Sequence, residues 1–284
     1  MQSHVARSAP VALTRYSTKI EWTLRVGAFL CFVGHGAFGV ITKEAWLRYF
    51  AVVGIGRGMA YQLMPMIGAV DILLGILTLT RPRRALLLWM TLWAVWTAML
   101  RPLAAEPVWE ALERAGNYGV PFALLMLYDG SHGWSAWFSS AKPRPLTDQL
   151  ALRLRVVLTI TTALLLLGHG ALAVLDKREL VLHYALLGFS THVEALTQVI
   201  GIVEIAFAIL VIWRPSVTFC LFLFGWKLAT ESLFLTAGAP LWEVVERGGS
   251  YAAPLALAVV LQCQQFNAFI LDVLPEKAGR SKLE

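Results

Sequence analysis

Apolar residues run in long blocks along this chain, and short stretches between the blocks collect most of the Lys, Arg, Asp and Glu. Eight blocks have about the length a helix needs to cross a bilayer, roughly 22–42, 60–80, 85–101, 117–128 with its flanks, 156–175, 197–213, 216–236 and 251–271. They are expected to be helices, because lipid offers no partner to an open strand edge. After the first and fifth blocks come KEAWLRYFAVVGI and KRELVLHYALLGF, which mix charge with aromatic and aliphatic residues. These read as short amphipathic helices lying on the membrane surface. Gly54-Ile55-Gly56-Arg57-Gly58 has no strand before it and reads as a flexible turn, not a phosphate loop.

The pattern occurs twice. Pro107–Phe122 (PVWEALERAGNYGVPF) and Pro240–Leu255 (PLWEVVERGGSYAAPL) are identical at 8 of 16 positions, at an offset of 133. Upstream, Gly34-His35-Gly36-Ala37 matches Gly168-His169-Gly170-Ala171, Gly68–Asp71 matches Gly201–Glu204, and Arg81-Pro82 matches Arg214-Pro215. Fixed-period self-similarity is the mark of a duplicated unit. The expectation is an all-α polytopic membrane protein, with eight transmembrane helices as two parallel tandem four-helix bundles. Residues 1–20 form an arm, 21–130 the first unit, 131–155 a linker with Trp134, Trp137 and Phe138 as interface anchors, 156–271 the second unit and 272–284 a tail. Four spans per unit is an even number, so both units enter the membrane the same way up.

Composition agrees: 58% hydrophobic, 15% charged, mean hydropathy +0.65, against about 25% charged in soluble domains. The first twenty residues have no apolar core or cleavage site ahead of the first span, so that span is expected to be retained. Basic residues fall on alternate sides. Arg15, Lys19, Arg81, Arg83, Arg84, Lys142, Arg144, Arg214 and Lys277 share one side, whereas on the other eight Lys or Arg meet nine Asp or Glu. The positive-inside rule then puts both termini in the cytoplasm. The net charge of +6 is therefore a topology signal, spread over separate loops, and nucleic-acid binding is set aside. Cys31, Cys220 and Cys263 form no C-x-x-C pair and read as inert buried thiols.

Ionisable groups at membrane depth are costly, and each needs a reason. Asp71 and Glu204 lie ten residues before Arg81 and Arg214, about 15 Å along a helix and so near mid-membrane. His35 and His169 lie further out. Lys227 and Glu231 are one turn apart on one face. Glu113, Arg114 and Tyr118, like Glu246, Arg247 and Tyr251, stand where the fourth and eighth helices enter. An outward-opening ligand pocket is expected from His169, Glu204, Lys227, Glu231, Glu246, Arg247 and Tyr251, with His35, Asp71, Glu113, Arg114 and Tyr118 as its poorer counterpart. The first half has Ala94 and Ala98 where the second has Lys227 and Glu231. Against this stand plainer roles: histidine bonded to its neighbouring acid, Lys227–Glu231 a self-neutralising pair, and acids at helix entries capping amides. His35 and His169, at equal depth, are also candidate ligands of a haem or other metal. No H-E-x-x-H, P-loop or nucleophile triad is present.

The glycine-rich first helix (GHGAFGV, GHGALAV), the G-x-x-[DE] of the second and the Arg-Pro that ends it resemble the DoxX-like family of small bacterial membrane proteins. The W-E-x-x-E-R-x-G-x-Y-x-x-P block resembles uncharacterised members of that group. The resemblance covers both halves and implies a bacterial cytoplasmic (inner) membrane location. It implies a redox-associated subunit binding a quinone-like or other small molecule, with partner membrane or periplasmic redox subunits. Neither a catalytic motif nor a cysteine carries over. A small-solute transporter or receptor, and a non-catalytic assembly scaffold, remain the alternatives.

Overall fold

The computed structural model describes residues 2–128, 133–140, 142–189 and 191–273. Its described residues are helical almost throughout. In chain order the helices are α1 (Gln2–Val40), α2 (Leu47–Val52), α3 (Arg57–Thr80), α4 (Arg84–Leu103), α5 (Trp109–Glu113), α6 (Ala115–Leu127), α7 (Trp134–Phe138), α8 (Asp148–Val174), α9 (Arg178–Leu186), α10 (Val193–Trp213), α11 (Val217–Thr236), α12 (Trp242–Val245) and α13 (Gly248–Val273). The segments expected to be amphipathic helices form α2 and α9, and the residues expected as interface anchors, Trp134, Trp137 and Phe138, lie on α7.

Among the described residues seven stretches are long and apolar enough to cross a membrane: Leu13–Val40, Arg57–Thr80, Arg84–Leu103, Asp148–Val174, Val193–Trp213, Val217–Thr236 and Trp242–Phe269. Their outer faces carry exposed Met66, Leu73, Trp89, Leu92, Ile202, Ile209 and Ile212, as a lipid-facing surface requires. This is a helical membrane protein. The eighth expected span is only the 13-residue α6, about 20 Å long at 1.5 Å per residue, which by itself is short of a ~30 Å hydrocarbon core. At the N-terminus α1 is continuous through residue 20, so the expected boundary between arm and span is not a break in the helix. The side chains of the basic tail, Lys277, Arg280 and Lys282, lie outside the described residues.

The ends of these helices are written locally. Pro82 and Pro215 follow Arg81 and Arg214 and stop α3 and α10, since proline disfavours helix in the residue before it. Thr147 and Ser216 cap α8 and α11, accepting from the amides of Leu150 and Phe219.

How the helices associate differs from two side-by-side bundles. α1 packs on α3 of its own half and on α13 of the other, and α8 packs on α10 and on α5 and α6 of the other half. α6 meets α13 between them. The result is one body with an inner set, α1, α6, α8 and α13, flanked by α3 and α4 on one side and α10 and α11 on the other. Burial marks the division: 61%, 50% and 72% of the apolar windows of α1, α8 and α12–α13 are buried, against 22–28% for α3, α4, α10 and α11. The physical reason is the small-residue seams. At Gly36 and Gly170 a Cβ would stand about 2.5 Å from the carbonyl oxygens of Gly68 and Gly201, so only glycine lets these helices cross so closely. Gly34 and Gly168 abut the backbones of Glu246 and Glu113, each in the opposite half.

Candidate functional site

Each half places one histidine against one carboxylate. His35 Nδ1 is 2.8 Å from Asp71 Oδ2, joining α1 to α3, and His169 Nδ1 bonds Glu204, joining α8 to α10. The glycines beside each histidine bring the helices close enough for these bonds. Beyond the shared pair the halves diverge.

In the second half the polar residues form a closed chain. Glu204 also accepts from Trp226 Nε1 at 2.8 Å. Lys227 Nζ stands 3.6 Å from Glu204 and 2.8 Å from Glu231, and Glu231 is 2.6 Å from Arg247 Nε. Arg247 continues to Glu243 at 2.9 Å and Glu246 at 3.4 Å. Glu204, Lys227 and Glu231 are almost fully buried. Isolated charges at such a depth would cost several kcal/mol each. Along the run Glu204–Lys227–Glu231–Arg247 two acids alternate with two bases and neutralise one another, while Glu243, at the far end, also meets Lys43. His169, Glu204, Lys227 and Glu231 thus bond one another, as the self-neutralising reading of Lys227–Glu231 has it, whereas Glu246 and Arg247 also line cavities.

In the first half Ala94 and Ala98 replace the lysine and glutamate, and a cavity of about 190 Å³ opens beside Ala94. His35, Trp46, Tyr49, Met64, Trp93, Trp96 and Thr97 are among the residues lining it, with Arg101, Arg114, Asn117 and Glu246 at its polar end. The His35 ring stacks on Trp46 with centroids 4.5 Å apart. Exposed Trp96 and Val53 stand at the rim, on faces turned away from the protein interior.

Where the inner helices enter, charges cross between halves. Lys43 bonds Glu243 and Lys177 bonds Glu110, the latter at 2.8 Å. These lysines follow Thr42 and Asp176, matched positions with φ of 56° and 54°. A left-handed residue other than glycine costs roughly 1–2 kcal/mol, and here it turns each lysine toward the opposite half. Arg114 bonds Glu110 at 3.0 Å and Glu113 at 3.2 Å. Burial raises the Glu113 carboxyl, but Lys177 and Arg114 outweigh it and hold it well below the usual carboxylate range. Tyr118 and Tyr251 donate to the carbonyls of Ala111 and Val244, so both steady the short helices before them. Around this ring lies a polar cavity of about 280 Å³, with Lys43, Arg48, Arg101, Glu106, Lys177 and Glu179 in its wall.

Tyr49 and His183 occupy matched places on α2 and α9. Burial and a hydrogen bond to Glu106 push the Tyr49 phenol up to about 12, against the pull of Arg101. Burial, with Arg247 nearby, lowers His183 to about 4, so that imidazole is neutral at pH 7.

For the haem or metal expectation, the Nδ1–carboxylate bonds leave each histidine its Nε2, the usual arrangement of a metal-bound imidazole, but Trp46 stacks on His35 and His169 is buried in the α8–α10 seam. Among the described residues no group of three or more His, Cys, Asp or Glu is arranged to hold an ion. All three cysteines are free and buried, as expected.

Trp46, Tyr49, Trp93 and Arg101 were not singled out by sequence. Trp93 and Trp226 recur at the offset of 133, which was the available signal. Lys43, Lys177, Glu110 and Glu243 lie in segments already recognised as repeated, but their partners lie in the opposite half. No protein-family profile, curated protein or solved structure matches this chain.

Proposed function

We propose that this chain is a DoxX-like protein of the bacterial inner membrane, a fused pair of four-span units with both termini cytoplasmic. In this reading it is a redox-associated subunit that binds a quinone-like small molecule in the cavity of its first half. The observation carrying the proposal is that cavity, flat-walled with Trp46, Trp93 and Trp96 and touching His35, which is hydrogen-bonded to a buried carboxylate. Aromatic walls suit a planar apolar ring, and a few convergent polar groups fix its orientation. The exposed rim residues suit a ligand arriving from lipid. His35, held by Asp71, is placed to give or take a proton at the ring. Partner membrane or periplasmic redox subunits would exchange electrons with it.

The family assignment rests on the sequence motifs, and the redox role on that resemblance. The test is gentle solubilisation followed by absorption spectroscopy and mass spectrometry of what stays bound. A co-purified quinone that disappears in Ala94→Trp supports the reading; a protein free of quinone that also fails to bind added naphthoquinone refutes it. A second reading, a transporter or receptor for a small charged solute, draws on the charged 280 Å³ cavity between the halves. It predicts saturable, gradient-driven uptake in vesicles.

A further inference from the structure

α7 packs against α4, and the two helices leave an open groove of about 520 Å³ between them. One wall is Ala85, Leu88, Trp89 and Leu92 of α4, and the other is Trp134, Trp137 and Phe138 of α7. The spacings i, i+3, i+4, i+7 and i, i+3, i+4 put each set on one face of its helix. Trp89 and Leu92 are exposed, as are Trp134 at 85% and Phe138 at 60%. Arg84, the first residue of α4, stands at the groove's end with its guanidinium 4.0 Å from the centre of the Trp137 ring. Arg81 and Arg83 come just before it and are exposed. None of the three pairs with a described Asp or Glu. From Arg84 to Leu92 the helix rises about 12 Å, enough to pass from a headgroup layer roughly 5–8 Å deep into hydrocarbon. The second half has no such arrangement. Ser216 and Val217 stand in place of Arg83 and Arg84, and Gly225 in place of Leu92. Ser216 caps α11, whereas Arg83 gives α4 no side-chain cap.

We infer that this groove binds an anionic phospholipid, with one acyl chain between α4 and α7 and the phosphate beside Arg83, Arg84 and the opening amides of α4. A phosphate suits guanidinium groups and helix N-terminal amides alike. Aromatic and aliphatic walls that continue along a membrane-crossing helix suit an acyl chain. A second copy of the protein suits the groove less well, because a two-fold interface sets a patch against itself and would bring these arginines against their own copies. The site is separate from the first-half cavity and does not depend on what that cavity binds.

The test is native mass spectrometry of the full-length protein in mild detergent, titrated with phosphatidylglycerol or with phosphatidylethanolamine of the same acyl chains. The wild type should retain one phosphatidylglycerol more tightly than phosphatidylethanolamine. Arg83→Gln and Arg84→Gln should each lower that preference about fivefold, the size expected for one basic residue at an anionic membrane surface. Arg214→Gln, at the matched turn of the second half, should leave it unchanged. A phosphatidylglycerol with a diazirine on its acyl chain should label the α7 peptide of the wild type. Equal retention of the two lipids by the wild type overturns the headgroup assignment. Label spread evenly over the spans, or a preference undiminished in both arginine variants, overturns the site. A dimer that holds no lipid gives the groove to a second copy instead. The wild-type titration and labelling decide the matter even if a variant fails to fold.

Discussion

The first half opens a cavity beside its histidine–carboxylate pair; the second half, with the same pair, fills the matched positions with Lys227 and Glu231 and extends a buried ion chain to Arg247. The difference comes down to two positions on the third helix of each half, Ala94 and Ala98 against Lys227 and Glu231. In this molecule the buried ion pairs mark the half whose interior is filled. Small residues mark the half with room for something else. In the proposed reading, one half keeps the helices locked while the other is left to bind.

The largest effect should follow from breaking the chain at one link. Lys227→Ala leaves Glu204 and Glu231 without their shared cation and is expected to cost roughly 3–5 kcal/mol. It should be read as a fall in unfolding midpoint in detergent. Lys227→Ala with Glu231→Ala copies the first half, and about half of that loss should return. A double variant no more stable than the single would mean the chain is not a neutral unit. Next come the seams. Gly168→Leu and Gly34→Leu push a side chain into the backbone of the opposite half and should each cost roughly 1–3 kcal/mol by overpacking. If only one of them matters, the two crossings are not equivalent.

Acid should separate the halves further. His183 has its pKa lowered to about 4 by burial, with Arg247 nearby, while the unfolded imidazole titrates near ~6.5. Between those values the unfolded chain binds the extra proton, so stability is full above the upper value and falls as pH drops toward 4. His183→Gln should flatten that slope. Tyr49, its counterpart, titrates near 12 and should contribute nothing in the acid range. The smallest effects belong to the partly exposed cross-half pairs. Lys43→Ala and Lys177→Ala should cost about 0.2–1 kcal/mol each, and double-mutant cycles with Glu243 and Glu110 would show whether the couplings are equal.

Much of the helix plan was legible, because apolar block length and Arg-Pro stops report bilayer thickness directly. The histidine–carboxylate pairs were legible as repeated blocks at membrane depth. The site was not, for a physical reason. Sequence advertises charge, and charge drew attention to Lys227 and Glu231; a cavity is made by what is missing, and Ala94, which lines it, sends no signal of its own. The interleaving of the halves was hidden too. Lys43 and Glu243 are 200 residues apart, and the glycines that bring the halves together look the same whether they meet a neighbour in their own half or in the other. The short α6 was overestimated because its block was counted with its flanks, which turn polar at Glu113-Arg114 before it and Asp129-Gly130 after it.

The most direct test of the division of labour is photolabelling with an azido-naphthoquinone in native membranes, followed by mapping of the labelled peptides. The account predicts label on the segments carrying Trp46, Tyr49 and Trp93, lost when Ala94→Trp fills the cavity, and none on the segment carrying Trp226 to Phe234. Label shared equally between the halves, or unchanged by Ala94→Trp, would contradict it.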